Sequence, residues 1–557
     1  MISSFDIFDT CLIRKCGTPE NFFDVFSLRA FNQDPPEWAR QEFVAARRLT
    51  EQKLWSENPH YTLEDIWAEM DWTHPLLKSK KELCELEQEL EREMLVPVLS
   101  MRDKVNECRK SGNKIIFISD MYLSSKFLID VMRTLGFYQD GDALYVSCES
   151  NAAKYDGGLF QYVKEKEGLT SFRHWHHYGD NKLGDYKVPK KLGIKCTLIN
   201  HEYTPYQKQW KDNDYSLGFK YPGILAGLGR ALHYSEEWNT HTDFVLDIIA
   251  PFYCSLVYRM MNDAKEHGIK RLYFCARDAY MMYKIALEYK VLFPEIECKF
   301  LYISRKALYE GDDEAKIKYY EQEGLATKID YVGIVDIRSS GKTLQYLNNY
   351  LEDNGYRKIR GYYYELFIAR IPSYAVEDYY CEMSGNYNPY SSGRMVDTWQ
   401  IWENFMPMNM IPKTVNYVLA DGIAQPVFGT DATDGTPKIQ QTEIIQHDQW
   451  CIIHEKLILL FCQSFIHTGM SHYVDAIFQM SIDRIFSFIN NPLPEYLVAL
   501  EDLYGVREHG STFVPFVKKE TWLRLLFTHA KDSIWKYGTL KYSNFYETFM
   551  LIKKLKP

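Results

Sequence analysis

The chain has 557 residues and a mass of 65.7 kDa, enough for roughly three to four domains of ordinary size. Its 46% hydrophobic and 15% aromatic content supplies material for several cores and excludes disordered, collagen-like and coiled-coil classes. With 65 basic against 75 acidic residues the net charge is −10, so no nucleic-acid partner is expected; the basic run Lys553, Lys554 and Lys556 reads as a solvated terminus. The twelve cysteines are scattered and form no CxxC pair. Cys11 and Cys16 lack the second pair that a zinc site needs, so reduced thiols of a cytoplasmic protein are expected. The most apolar stretch, 244–261, carries Asp247, Pro251 and Arg259, which favours a buried helix over a membrane span. A strand-like run beginning at Ile2 leaves no room for a signal peptide.

Residues 2–8 predict a buried strand whose end carries Asp6 and Asp9. Residues 16–99 predict helices. Thr18-Pro19-Glu20 reads as a cap, a first-turn proline and a first-turn acid, and Thr62 with Asp65 reads as a capping box. Leu83, Leu86, Leu90 and Met94 repeat at helical spacing until Pro97. A helix at 101–109 follows, ended by Ser111-Gly112, and then strands at 114–118, 144–146, 174–178 and 195–199 with helices between them. This alternation is the pattern of a parallel α/β sheet. Residues 204–240, rich in Tyr, Lys, Asp and Gly, predict a linker. A second α/β domain is predicted over 241–394, with strands at 271–275, 299–303, 331–335 and 360–367. A mostly helical region is predicted over 395–557, where Ile452, Ile453, Leu457, Leu460 and Phe461 have helical spacing.

Four features occur in order in the first 190 residues: Asp6 in Phe5-Asp6-Ile7-Phe8-Asp9-Thr10, Ser119 in Phe117-Ile118-Ser119-Asp120, Lys154 in Ala153-Lys154-Tyr155-Asp156-Gly157-Gly158, and Gly179-Asp180 with Asp185. In a doubly wound sheet all four fall at carboxyl ends of strands, where ligands bind. Three carboxylates can offer a hard, oxygen-only set for Mg²⁺. Together the motifs resemble those of the haloacid dehalogenase (HAD) superfamily over residues 1–203, with a core of 1–15 and 100–203 and a helical cap at 16–99. The resemblance implies Asp6 as a nucleophile forming an aspartyl-phosphate, Ser119 as a donor to a phosphoryl oxygen, and Lys154 as a neutralising cation. It implies Asp6, the Phe8 carbonyl, Asp180 and Asp185 around Mg²⁺, with Asp185 binding the metal or orienting Lys154.

One position departs from that pattern. Phosphatases of the family carry an acidic proton shuttle two residues after the nucleophile, and Phe8 stands there. General acid–base help is typically ~10²–10⁴ in rate. Three options stay open: a leaving group that needs no proton, a surrogate acid, or a domain that binds with reduced turnover.

In the second half, a strand runs from Val332 into Asp336, Ser339, Ser340, Gly341, Lys342 and Thr343. This reads either as an anion-binding turn at a helix start or as an ordinary turn capped by Ser340. It is similar to the ribose-phosphate loop of phosphoribosyltransferases, with only Asp336 of the usual two acids. Arg277-Asp278 and Ser304-Arg305 follow two other strands. A polyanion site, with a nucleotide sugar as one candidate ligand, is therefore expected from Arg277, Asp336, Ser340, Gly341 and Thr343, and surface charge at loop starts is the competing explanation. The whole layout resembles long HAD-like proteins encoded beside bacterial capsule and O-antigen glycosyltransferases. That implies a phosphorylated sugar substrate and polysaccharide-assembly enzymes as partners. A transferase seated in the second domain and a non-catalytic scaffold remain the alternatives.

Overall fold

The computed structural model describes residues 1–212, 218–339, 341–366, 379–384, 411–429, 441–506, 513–528, 533 and 535–555. They fall into two compact units, Met1–Trp238 with His467–Met470 and Asn239–Ile466 with Ser471–Pro557. Each unit carries a parallel α/β sheet.

The first unit contains β1 (Ile2–Phe5), β2 (Leu12–Arg14), β3 (Leu95–Pro97), β4 (Lys114–Ser119), β5 (Ala143–Val146), β6 (Trp175–Gly179) and β7 (Lys195–Leu198). Its main sheet has the order β5-β4-β1-β6-β7, with every pair parallel. The central strand β1 is buried throughout, although two of its four residues are serines. Ser4 is satisfied there: its Oγ accepts from Trp175 Nε1 at 2.6 Å and pairs with His177 Nδ1 at 2.7 Å. The strand is shorter than the predicted 2–8. Beyond Asp6, whose N–H still reaches Tyr178 O, the Ile7 carbonyl accepts from Cys11 and Leu12. Asp9 adopts φ 50°. The chain thus leaves the sheet in a tight turn at the carboxyl edge.

The insert between β2 and β3 is helical, with helices Pro19–Ser27, Glu37–Glu57, Leu63–Glu69 and Lys80–Met94. Thr18 caps the first, and Thr62 and Asp65 form a reciprocal capping box on the third. Phe26, Phe43 and Trp67 pack ring against ring at its centre. Arg47 is fully buried among them, paired with Glu87 at 2.7 Å. The insert is closed at its base by β2 and β3, an antiparallel pair with Leu12 opposite Pro97; sequence periodicity did not reveal these two short strands.

Residues 204–240 are not a linker. They hold the helices Pro205–Asp212 and Tyr221–Ser235, and eleven residues of the second are buried, from Pro222 to Leu232. Gly227 lets this helix meet the chain backbone to backbone, since a Cβ there would stand 2.3 Å from Gly17 N. Glycines at 223, 227 and 229 made the segment look loop-like, and close packing is the reason for at least one of them.

The second unit contains β8 (Arg271–Cys275), β9 (Glu297–Leu301), β10 (Val332–Ser339), β11 (Arg360–Leu366) and β12 (Tyr379–Ser384), in the all-parallel order β12-β11-β10-β8-β9. β10 runs four residues past the predicted end, because β11 continues to pair with it up to Ser339 opposite Leu366. The strand β12 was not predicted. The predicted helical region 395–557 is not helical at its first described residues: β13 (Thr414–Ala420) and β14 (Ile423–Phe428) form an antiparallel hairpin, and 395–410 lie outside the described residues. That hairpin is tied to the α/β part through Tyr417 OH to Tyr302 O and through Gln322 to Ala424. Helices such as 441–467 and Val474–Asn490 follow. The run Thr242–Glu266 is long and apolar enough to span a membrane by length and composition, and 89% of its most apolar window is buried inside the fold.

Candidate active site

Three strands of the first sheet each deliver one group to the carboxyl edge. β1 ends just before Asp6, β4 ends on Ser119, and β6 ends on Gly179 before Asp180. Lys154 precedes the helix Gly158–Lys166, which starts at Gly157 with φ 90°. Asp185 lies in a short helical turn, Lys182–Lys187, capped by the side chain of Asn181. Ligand oxygens of Asp6, Asp180 and Asp185 lie within 4.8 Å of one another. Asp6 and Asp185 are buried and Asp180 is partly so.

Lys154 sits among them, 5% exposed. Its ammonium donates to Asp6 Oδ1, and to Asp185 Oδ1 at 2.7 Å. Its backbone N–H donates to both oxygens of Asp120 at 3.0 Å. Asp185 also meets His177 Nε2 at 3.1 Å and accepts from Asn181 N at 3.0 Å. Thr10 Oγ1 reaches Asp6 at 3.4 Å and Asp180 at 3.3 Å. Gly179 makes the approach of Asp185 feasible: a Cβ there would stand 2.5 Å from the Asp185 side chain.

The electrostatics follow from this crowding. Burial pushes the Asp6 carboxyl well above the usual carboxylate range; Lys154 opposes the shift, and Asp185 and Asp180 add to it. Burial and the neighbouring Asp9 and Asp185 also raise Asp180. Burial would raise Asp185 too, but the Lys154 ammonium and the His177 hydrogen bond overcome it and hold the carboxyl below its ordinary value. Burial alone would discharge Lys154, yet Asp185 and Asp6 keep it firmly protonated. With all three carboxylates ionised, one ammonium against three acids leaves an excess of two negative charges, which a divalent cation would cancel. The oxygen-only donor set and tight spacing suit Mg²⁺.

The cluster opens into a cleft of about 680 Å³. Its core wall includes Asp6, Phe8, Ser119, Lys154, Asp180 and Asp185, and the insert contributes Arg48, Glu51, Trp55 and Tyr61. Phe8 lines this cleft where a proton shuttle was expected, with the Arg14 guanidinium 4.5 Å from its ring centroid and Arg14 paired to the buried Glu91. Asp9, the neighbouring acid, forms an ion pair with Arg230 from the helix Tyr221–Ser235. Thr10, Asp120, His177 and Arg230 were not singled out from sequence. Thr10, Asp120 and His177 stand inside or beside the quoted motifs, whereas Arg230 lies in the segment taken for a linker.

In the second unit, Arg277 follows β8, Arg305 opens a helix after β9, and Asp336 lies within β10 rather than in the turn beyond it. Gly341, with φ 77°, is the residue before the helix Lys342–Asp353, so the helix starts one residue later than a Ser340 cap requires, and Thr343 is in its first turn. Ser340 itself lies outside the described residues.

Fold and site together describe a parallel α/β domain with a lysine-bridged carboxylate cluster at its carboxyl edge, covered by a helical insert. No protein-family model matches the chain, and no curated protein matches it. Solved structures similar to part of it are HAD-family hydrolases. L-2-haloacid dehalogenase from Xanthobacter autotrophicus is 14% identical over 39% of this chain and 85% of its own, with a TM-score of 0.29. A HAD phosphatase from Thermococcus onnurineus is 18% identical over 36% and 86%, with a TM-score of 0.27. A Bacillus subtilis protein described as a HAD-hydrolase and bound to magnesium is 15% identical over 36% and 90%, also at 0.27.

Proposed function

We propose that the first unit is a Mg²⁺-dependent HAD-type phosphoryl-transfer enzyme acting on a phosphorylated sugar or nucleotide-linked substrate. The observation that carries this reading is the convergence of Asp6, Lys154, Asp180 and Asp185 at one strand edge, inside a covered cleft. Asp6, Asp180, Asp185 and the Phe8 carbonyl would hold the metal, which supplies charge neutralisation for a phosphoryl group. The Asp6 carboxylate attacks phosphorus as the bond to the leaving oxygen breaks, giving an aspartyl-phosphate. Lys154 and the Ser119 hydroxyl stabilise the charge on the phosphoryl oxygens. Water, or an acceptor hydroxyl, then takes the phosphoryl group and frees Asp6.

Phe8 removes the acid from the position two residues after Asp6, and Asp9 is paired with Arg230, so the motif itself supplies no proton to a departing oxygen; Glu51 of the insert is the surrogate the cleft offers. The substrate class this favours has a leaving group that departs without a proton, such as an acyl phosphate or a diphosphate. We place that substrate in surface-polysaccharide synthesis in the cytoplasm, with polysaccharide-assembly enzymes as partners. The test is phosphate release from a panel of sugar phosphates, acyl phosphates and nucleotide sugars with Mg²⁺. Release by the wild type and none by Asp6→Asn supports the reading; release that survives Asp6→Asn refutes it. Phe8 also favours one second reading, binding without turnover, which is supported if phosphorylated ligands bind in the presence of Mg²⁺ and none is cleaved.

A further inference from the structure

The second unit's sheet has a topological switch point. Counted in chain order from β8, the strands run 2-1-3-4-5 across the sheet, so the connections leaving β8 and β10 diverge. In open parallel sheets that divergence leaves a crevice outside the carboxyl ends of the two strands. The register shows what lines it. Phe274 lies opposite Val335, and Cys275 lies opposite Leu301. Asp336 is therefore level with Cys275, and Arg277 and Asp278 follow immediately after the strand that ends there. The loop after β9 is fixed by Ser304, whose Oγ donates to Thr414 O at 2.6 Å and accepts from Ala307 N at 3.0 Å, and Arg305 is the next residue.

Arginines in this unit are generally paired. Arg259 binds Glu382, Arg271 binds Glu297, Arg338 binds Glu365, Arg360 binds Asp263, and Arg357 stacks over Tyr331. Arg277 and Arg305 differ. Among the described residues neither has an ion pair or hydrogen bond through its side chain, although both charges act on Asp278 and that of Arg305 acts on Asp336. Asp278 has no side-chain partner within bonding distance either, and Asp336 bonds only the N–H of Ile337. Two arginines and two acids thus share one edge without closing on each other among the described residues.

We propose that this switch-point crevice binds a phosphorylated sugar, with its phosphate on Arg277 and Arg305 and its hydroxyls on Asp278 and Asp336. Guanidinium groups bind phosphate through paired, charge-assisted hydrogen bonds, and carboxylates in such crevices accept from sugar hydroxyls. The start of the helix Lys342–Asp353, preceded by Gly341 and without a side-chain cap, adds N–H donors on the β10 side. Burial and the adjacent Asp278 push the Asp336 carboxyl up to about 7, so it can donate as well as accept at neutral pH. The site is independent of the chemistry proposed for the first unit.

The experiment separates the two sites by removing divalent metal. The full-length chain in EDTA is titrated with ribose 5-phosphate and with inorganic pyrophosphate by calorimetry, so that the three acids of the first unit repel both probes. Wild type should bind both. Arg277→Gln with Arg305→Gln should weaken both at least tenfold. Asp336→Asn should weaken ribose 5-phosphate and leave pyrophosphate unchanged. Circular dichroism of each variant checks its fold, and Arg305→Gln alone, at an exposed position with no side-chain hydrogen bond or ion pair among the described residues, serves if the double variant misfolds. Undetectable binding of both probes by the wild type at 10 mM (about the millimolar limit of such measurements) would overturn the proposal, as would equal affinity in the arginine variants. Equal losses for both probes in Asp336→Asn would overturn the hydroxyl contact.

Discussion

Replacing Lys154 by methionine tests the balance of charge in the first unit. The substitution keeps the apolar stem and removes the ammonium that lies between Asp6 and Asp185. Three carboxylates then face one another with no cation. Removing one partner of a buried ion pair costs about 3–5 kcal/mol. For a unit of this size, 1 kcal/mol moves the melting temperature by roughly 2–4 °C, so a fall of about 6–20 °C is expected in EDTA. The lower end applies at pH 6, because burial already raises Asp6 and the variant can relieve repulsion by protonating it. At pH 8 that relief is weaker and the fall should be larger. Adding 10 mM Mg²⁺ should restore part of the loss, since it returns positive charge to the cluster (any ligand of the folded state stabilises by mass action, about 2.7 kcal/mol at a hundredfold excess over Kd). Scanning calorimetry of both proteins, with and without Mg²⁺ at the two pH values, measures all of this. A variant that melts within about 2 °C of wild type in EDTA at pH 8, less than 1 kcal/mol by the same conversion, would refute the electrostatic account.

Mg²⁺ should raise the melting temperature of the wild type but not of Asp180→Ala, and a wild type insensitive to Mg²⁺ up to 10 mM, roughly the ceiling for a useful site by mass action, contradicts the metal site. If the missing acid limits turnover, Phe8→Asp should accelerate alkyl phosphates by about 10²-fold or more while changing aryl or acyl phosphates little; equal rates on both classes in the wild type would show that another residue supplies the proton. Gly227→Ala should destabilise the first unit by about 1–3 kcal/mol or more, since the added methyl meets backbone rather than a movable side chain; denaturant unfolding reads it, and an unchanged midpoint would show that the helix Tyr221–Ser235 is not packed as described. Asp336 holds a proton in the folded chain up to about pH 7 that the unfolded chain releases near the ordinary carboxylate value of 3.8. Its contribution to stability is therefore present below about pH 4 and lost as pH rises to about 7, so the wild type minus Asp336→Asn difference in melting temperature should decline across that window and stay flat if the shift is absent.

The site residues of the first unit were legible because four motifs follow one another in a fixed order, each at the end of a strand or the start of a helix. Alone, Asp6 or Gly179-Asp180 reads as an ordinary cap or turn. Partners reached through space left no such mark. Arg230 lies 221 residues from Asp9, and nothing local announces the pairing. Ser4 and His177 lie 173 residues apart in buried strands and satisfy each other by a hydrogen bond that neither segment announces. The boundary errors share one cause: glycine and tyrosine richness at 204–240 was read as looseness, whereas Gly227 is small because another backbone lies against it. In the second unit, the length of β10 is set by the neighbour β11, which its own sequence does not encode.

The paired strands β2 and β3 make the helical insert a side branch on a narrow neck. Leu12 and Pro97 face each other, so the chain leaves the core and returns to it within one strand spacing. The neck is not a free hinge, however. Gly17, three residues past β2, is gripped by Gly227 at main-chain contact, with no side chains between them to slide or repack. Any bending of the insert over the cleft would therefore fall to the joints between its helices, since its root is held. Arg48, Glu51 and Trp55, which line the cleft, lie on the helix Glu37–Glu57, beyond that fixed root.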